Sequence, residues 1–169
     1  KTFPLQEVAE GKTLIYLVKS DEENYLLHTK GINLYLFSID SGSLVWKKTL
    51  LDDTDKILIH NDKIVFYSTM DTQLQINYIV NQKIIGEYEL QIPAVSALAM
   101  GENVFIRTQN SIISLRFKKR FLGGIENWRK ELGDDVQIVS FHTLFNNVFA
   151  LSKSGDLYCL HGASGKTIN

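Results

Sequence analysis

Short stretches in which apolar and polar residues alternate follow one another along the chain, separated by polar turns. In the clearest of them, Leu44, Trp46 and Leu50 are separated by polar or smaller residues, as expected for a β-strand with one packed face. The turn before this strand, Asp40-Ser41-Gly42-Ser43, contains the glycine that a tight hairpin favours. No stretch of useful length repeats its apolar residues at the 3.6-residue period of a helix. We therefore predict an all-β chain of short antiparallel strands in which helices are rare.

The alternating pattern itself repeats four times. In each copy a short polar turn leads into an apolar strand, and the first apolar residues of these strands are 39, 40 and 44 positions apart: Tyr25, Ile64, Val104 and Val148. Later in the repeat, Trp46, Gly86 and Trp128 recur at spacings of 40 and 42. A period of about 40 residues with four strands per unit is typical of β-propeller blades.

We predict four consecutive antiparallel, four-stranded blades that form one β-propeller portion over residues 1–169. Their approximate ranges are 13–50 (blade A), 56–90 (blade B), 95–132 (blade C) and 136–169 (blade D). Blade D is incomplete, because the sequence stops as its fourth strand begins. Propellers commonly have about 6–8 blades, so we expect this portion to belong to a larger ring. Phe3–Val8 precedes blade A and could serve as an outer strand of a neighbouring blade.

The alternation also predicts which large side chains are buried. The residues assigned to the core of the blades are Leu27, Tyr35, Phe37, Val65, Leu98, Phe105, Leu115, Val139, Phe149 and Leu157. A register error of one residue would move each of them to the opposite face of its strand.

Two segments resemble the repeat of quinoprotein-like β-propellers (the PQQ-type, WD40-like class). In blade A the segment is LYLFSIDSGSLVWK, residues 34–47, and in blade D it is GDLYCLHGASGK, residues 155–166. The resemblance implies an apolar strand that ends in Asp, a glycine turn, and a following strand that carries Trp. In blade D, His161 replaces the Asp. We expect the turn aspartate to accept backbone N–H groups, and Trp46 and Trp128 to cover the gaps between adjacent blades.

Some enzymes of this class use a quinone cofactor. The resemblance implies that such a dehydrogenase needs a cofactor platform, a calcium ion and a catalytic Asp at the centre of the ring. The sequence has no vicinal cysteine pair and no cluster of acidic and amide residues. We therefore expect a noncatalytic protein without a cofactor, and a quinone-dependent dehydrogenase is the remote alternative.

Other cofactor and metal motifs are incomplete. The segment Gly162-Ala163-Ser164-Gly165-Lys166-Thr167 is similar to a phosphate-binding loop, but Leu160 stands where the motif requires its first glycine. The four histidines are not at the close spacing of a metal site; they are His28, His60, His142 and His161. Cys159 has no second cysteine with which it could bind a metal ion.

The strongest candidate for a binding site is the densest basic run of the chain. It comprises Arg116, Lys118, Lys119, Arg120 and the neighbouring aromatic residue Phe121. One interpretation is a solvated end of a hairpin, and another is a docking surface for an acidic protein partner. A nucleic acid or an anionic lipid surface is the remaining alternative. The net charge of −1, from 18 basic and 19 acidic residues, makes nucleic acid an unlikely partner of the whole chain.

The order of the strands adds a prediction about sidedness. In an antiparallel blade, the connection that contains Lys118, Lys119 and Arg120 and the links between blades leave from opposite ends of the strands. The acidic segments Asp52–Asp55 and Asp134–Asp135 lie in such links. We therefore hypothesise a basic patch on one face of the propeller and an acidic rim on the other.

The function predicted from these features is that of a noncatalytic scaffold or adaptor segment that binds proteins within a multi-subunit assembly. The candidate partners are other proteins or the remainder of the propeller. The single cysteine favours a reducing, cytoplasmic location, and no apolar run reaches the length of a membrane span. The alternative is a quinoprotein-like propeller of the endoplasmic reticulum lumen or the bacterial envelope that acts in protein folding, sensing or membrane insertion.

Overall fold

The computed structural model describes residues 14–19, 23–51, 55–117, 125–133 and 136–168. These residues form β-strands joined by turns. The strands are β1 (Leu14–Lys19), β2 (Asn24–Lys30), β3 (Asn33–Ser38), β4 (Leu44–Thr49), β5 (Asp55–His60), β6 (Lys63–Ser68), β7 (Gln73–Tyr78), β8 (Ile84–Glu89), β9 (Ser96–Met100), β10 (Asn103–Arg107), β11 (Ser111–Arg116), β12 (Glu126–Glu131), β13 (Ile138–Leu144), β14 (Asn147–Ser152) and β15 (Leu157–His161).

Each strand within a sheet pairs in antiparallel fashion with its neighbour in the sequence. The sheets are β1–β4 in blade A, β5–β8 in blade B, β9–β12 in blade C and β13–β15 in blade D. In blade D, a single bridge between Leu160 and Thr167 marks the beginning of a fourth strand. The prediction of an all-β fold built from consecutive antiparallel blades, with the last one incomplete, is confirmed.

The hairpins between the third and fourth strands of blades A (β3–β4) and B (β7–β8) each contain a residue with positive φ. Gly42 supplies it in blade A at φ 67°, and Gln82 supplies it in blade B at φ 54°. The left-handed position of this turn in blade B is therefore Gln82. In blade A, the N–H of Ser41 donates to Oγ of Ser38, so this serine, and not Asp40, accepts the turn amide.

A β-bulge recurs in the pairing of the third and fourth strands. It follows the pairs Leu36–Trp46, Ile76–Gly86 and Ser114–Trp128 in blades A, B and C. A bulge bends a strand and changes the direction of its side chains. Trp46, Gly86 and Trp128, which recur at the same place in the sequence repeat, thus mark the position at which the fourth strand of each of these three blades bends.

The hydrophobic core lies between the blades. Tyr25, Leu27 and Leu36 of blade A pack with Ile59 and Ile64 of blade B. A second cluster joins blades B and C, and a third joins blades C and D. Every inner blade is therefore apolar on both faces, because it has a neighbour on each side.

The core prediction is confirmed for four residues and wrong for two. Leu27, Val65, Phe105 and Leu115 are buried. Tyr35, Phe37, Leu98 and Phe149 are half-buried. Val139 is 47% exposed and Leu157 is 67% exposed.

These two errors have one physical cause. In β13 and β14, the side chains of Ile138, Val148 and Ala150 pack against blade C, whereas Val139 lies on the other face of blade D. Leu157 likewise lies on the face of blade D that no other blade of this chain covers. Both faces of the terminal blade are apolar in sequence, and alternation alone does not tell which one is covered.

Candidate functional site

The connections between strands emerge on two opposite faces of the arc of blades. Connections from the first to the second strand and from the third to the fourth strand lie at one end of the strands, which we call the turn face. Connections from the second to the third strand and the links between blades lie at the other end, which we call the link face. The order and antiparallel pairing of the strands fix this division.

The predicted basic site belongs to the turn face of blade C. Arg116 is the last residue of β11 and is half-buried, and its backbone N–H donates to the carbonyl oxygen of Ile125 at 2.7 Å. Lys118, Lys119, Arg120 and Phe121 lie outside the described residues. The structure therefore places both ends of this connection but not its basic side chains.

The acidic links begin at the opposite ends of the strands. Asp52, Asp53, Asp134 and Asp135 lie outside the described residues. Asp55 begins β5, and its carboxylate accepts the backbone N–H of Leu51 at 2.8 Å. The strand order thus puts the basic connection and the acidic links at different faces. The difference in electrostatic potential between the two faces stays a prediction.

Phe117 anchors the basic connection to the sheet. Its side chain is 1% exposed, and its backbone N–H donates to the carbonyl oxygen of Glu102 at 3.0 Å. The imidazole of His60, from blade B, stacks on the phenyl ring of Phe117 with a centroid separation of 5.4 Å and an interplanar angle of 7°. Nε2 of His60 also lies 2.9 Å from the carbonyl oxygen of Gly101. The connection therefore leaves from a fixed point at the joint between blades B and C.

Two cations from different blades lie near this anchor. The ammonium of Lys63 is 5.6 Å from the centroid of the Phe117 ring, and it forms a 2.5 Å ion pair with Asp62. Nε of Arg116 is buried and has no hydrogen-bond partner among the described residues.

Sequence reasoning found Arg116 but missed His60 and Lys63. The two residues belong to blade B, about 55 positions earlier in the chain, and only the packing of two blades brings them to Phe117. The signal available in the sequence was their place in the repeat. They flank the turn Asn61-Asp62, which is equivalent in position to Gly101-Glu102 in blade C.

A groove of about 420 Å³ is lined mainly by the first strands of the blades, which are the innermost ones. Its lining includes Tyr16, Tyr67, Arg107, Ser140 and His142. Nη1 of Arg107 donates to the carbonyl oxygen of Ile138 at 2.9 Å, which ties blade C to blade D at this groove. Burial raises the pKa of the Tyr16 phenol above its usual value of 10.0.

The described residues contain no group of three or more His, Cys, Asp or Glu side chains arranged to hold a metal ion. Cys159 is a half-buried free thiol. Within the same ranges, no helix has the length and apolar character needed to cross a membrane.

Comparisons with known proteins place the fold. No protein-family model and no curated protein matches the chain. Among solved structures it is similar to BamB from Moraxella catarrhalis, a PQQ-like β-propeller, with 17% identity and a TM-score of 0.59 over 92% of this chain and 52% of that one. It is also similar to the computationally designed Ika4 protein (13% identity, TM-score 0.61, covering 94% of this chain and 99% of that one). The designed Ika8 protein matches with 12% identity and a TM-score of 0.67 over 95% of this chain and 50% of that one.

These similarities show a partial β-propeller. The chain spans about half the length of BamB and of Ika8, and almost the whole length of Ika4. At identities of 12–17%, the resemblance shows the fold alone.

Proposed function

We propose that this chain is a noncatalytic β-propeller scaffold or adaptor segment that holds a protein partner within a multi-subunit assembly. The blades provide a rigid frame, since their buried residues pack across the joints between blades. The connections at the two faces carry the variable polar residues, and loops on a rigid frame are common positions for binding residues.

One observation supports the turn face of blade C as the binding surface. Phe117 is buried directly before the basic run and is held by His60 of blade B and by the backbone of Glu102. A solvated hairpin end does not need such an anchor. Fixing the start of the connection lowers the entropy that its basic side chains lose when a partner binds.

The charges define the chemistry of the partner. Arg116, Lys118, Lys119 and Arg120 lie within five positions and are followed by the aromatic residue Phe121. This combination suits a segment of a protein that carries several carboxylates and an apolar side chain. Electrostatic complementarity of this kind mainly increases the association rate and the specificity.

We propose a cytoplasmic location, supported by the single unpaired Cys159. The second candidate function is that of a quinoprotein-like propeller of a lumen or of the bacterial envelope that acts in folding, sensing or insertion, and the fold shared with BamB is compatible with it. The two proposals differ in compartment and share the same basic surface.

Site-specific photo-crosslinking in cells tests the proposed surface. A photoreactive phenylalanine analogue replaces Phe121 on the turn face, or Thr72 on the link face as the matched control. We expect a crosslinked partner from position 121 and not from position 72, and we expect the triple change K118E, K119E and R120E to abolish it without changing the thermal unfolding temperature. Crosslinks that survive the triple reversal, or that form equally from position 72, would contradict the proposal.

A further inference from the structure

Blade C carries three neighbouring polar side chains on the side that faces blade D: Asn103, Ser114 and Arg116. On this side, Phe105 and Ile112 pack with residues of blade D, and every second side chain of a strand lies on the same side. In the pairing of β10 with β11, Asn103 stands opposite Arg116, and Phe105 stands opposite Ser114. Because β10 begins at Asn103 and β11 ends at Arg116, the group lies at the turn-face end of the joint.

Each of these side chains has a buried polar atom that forms no hydrogen bond with any described residue. The atoms are Oδ1 of Asn103, Oγ of Ser114 and Nε of Arg116. Ser114 is 0% exposed, whereas Asn103 and Arg116 are half-buried. The large majority of buried polar atoms in proteins have a partner, so three neighbouring ones without a partner need an explanation.

Poor packing of the whole joint does not explain them. In the adjacent strand β12, Nε1 of Trp128 donates to the carbonyl oxygen of Gly162 at 2.8 Å. Nδ2 of Asn127 donates to the carbonyl oxygen of Ala163 at 3.0 Å. Trp128 is the β12 residue that pairs with Ser114, so blades C and D form good polar contacts one strand away from the three atoms.

The three atoms together define the kind of group that could bind to them. Nε of Arg116 only donates, Oδ1 of Asn103 only accepts, and the hydroxyl of Ser114 can do either. The oxygens of a carboxylate or of a phosphate supply acceptors alone and would leave Oδ1 of Asn103 without a donor. A peptide unit supplies both an acceptor and a donor, so its carbonyl oxygen and its N–H match the three atoms.

We propose that this site binds the main chain of an extended segment of the protein partner. A carbonyl oxygen of the segment accepts from Nε of Arg116 and from the hydroxyl of Ser114, and a backbone N–H of the segment donates to Oδ1 of Asn103. Asn103 and Arg116 lie half-buried at the ends of their strands, so their side chains can turn aside to admit the segment, while Ser114 forms the floor.

The proposal rests on the proposed function and specifies how the acidic segment is held. The basic residues of the connection attract its carboxylates, and the three polar residues bind its backbone. Their buried atoms are already removed from water in the folded chain, so the hydrogen bonds that they gain are not offset by a new loss of hydration.

Two probes of similar charge separate recognition of the backbone from attraction between charges. One is a fluorescently labelled peptide of six glutamates, and the other is a labelled oligomer of six acrylic acid units, which has carboxylates but no peptide units. Fluorescence anisotropy at low salt measures the affinity of the protein for each probe. We expect the peptide to bind more tightly by about threefold or more. Equal affinities, or no binding of the peptide, would overturn the proposal.

Two variants of the site test the hydrogen bonds themselves. Arg116→Lys keeps the positive charge but removes the Nε–H donor, and Asn103→Leu removes the carboxamide. We expect each variant to weaken binding of the peptide by about threefold or more and to leave binding of the acrylic acid oligomer unchanged. Asn24→Leu makes the same change at the exposed first residue of β2 in blade A and is the matched control.

Ser114→Ala is a third variant that removes only a hydroxyl, and far-UV circular dichroism verifies that each variant is folded. It should weaken binding of the peptide alone. Unchanged affinity of all three variants for the peptide would overturn the proposal, as would an equal loss of affinity for both probes.

The triple change K118E, K119E and R120E keeps this proposal distinct from the proposed function. We expect it to weaken binding of both probes, because it reverses the charges that attract carboxylates. If the site variants have no effect while the triple change still abolishes crosslinking from position 121, the backbone site is wrong and the proposed function stands. If crosslinking survives the triple change, the proposed function fails whatever the site variants do.

Discussion

The indole N–H of Trp46 in blade A donates a 2.8 Å hydrogen bond to the carbonyl oxygen of Ile79 in blade B. Trp128 repeats this arrangement with Gly162 between blades C and D. The tryptophan therefore joins two blades by a polar contact as well as by its apolar area. In blade B, Gly86 replaces it, and Ile125 of blade C fills the space.

Replacing Trp128 by Phe removes the N–H donor while keeping an aromatic ring. We expect the free energy of unfolding to fall by about 1–3 kcal/mol, because the carbonyl oxygen of Gly162 loses its partner in a buried joint. Urea denaturation followed by circular dichroism measures this loss. Trp46→Phe, at a half-buried site, should cost less. Equal costs at the two sites would show that the loss of area, and not burial of the hydrogen bond, determines the effect.

Gly86→Ala should destabilise the joint between blades B and C. The added methyl group would lie 2.7 Å from Cγ2 of Ile125, so a side chain or strand must move, at a cost of about 1–3 kcal/mol. Ile125→Ala removes the clashing atom, and the double variant should therefore be more stable than the sum of the two single effects predicts. Strict additivity in the double-mutant cycle would contradict this contact.

Leu27→Ala and Leu157→Ala make the same chemical change at different depths. Leu27 is 0% exposed and Leu157 is 67% exposed. We expect Leu27→Ala to lower the free energy of unfolding by about 2–5 kcal/mol. Leu157→Ala should change it by less than about 0.5 kcal/mol. Urea denaturation of the two variants measures both changes, and a similar loss for both would contradict the exposure of Leu157.

The stability should depend on the ionisation of Lys48. Burial lowers the pKa of this lysine from its usual 10.5, and the carboxylate of Asp55 opposes the shift. Between the folded pKa and 10.5, the unfolded chain binds more protons than the folded chain, so this contribution to stability increases as the pH rises through that window. We expect wild-type protein to gain stability relative to Lys48→Met on going from about pH 8 toward pH 10.5.

The effect should be small, because Lys48 is only half-buried. Lys47→Met, on the exposed face of the same strand, is the control, because it removes a lysine charge that is not buried. Denaturant unfolding of the three proteins at several pH values makes the comparison. A difference between wild type and Lys48→Met that stays constant with pH would contradict the assignment.

The sequence was sufficient to predict the blades because their signals are local. Trp46 and Trp128 mark the fourth strands, and Gly42 marks a hairpin turn whose φ of 67° favours glycine. The interpretation of the tryptophans as covers of the gaps between blades is confirmed by their bonds to Ile79 and Gly162.

The faces of the terminal blades could not be predicted in the same way. Alternation shows that Val148 and Phe149 lie on opposite sides of β14, but both are apolar, and burial depends on which side has a neighbouring blade. The candidate site was limited for a related reason. The ring of His60 stacks on that of Phe117 across a joint between blades, and no local sequence pattern predicts this contact.

In the part of the chain that the structure describes, strands pair only with their neighbours in the sequence, and this affects how the chain can be made and changed. Each four-stranded sheet lies within about 40 consecutive residues, so such a blade can form as soon as its own segment has left the ribosome. The next blade then adds one apolar joint to a template that already exists, as in a repeat array. Duplication or deletion of one such segment at the links would change the number of blades without breaking a strand pair, which gives the gene a simple route to arcs of other lengths.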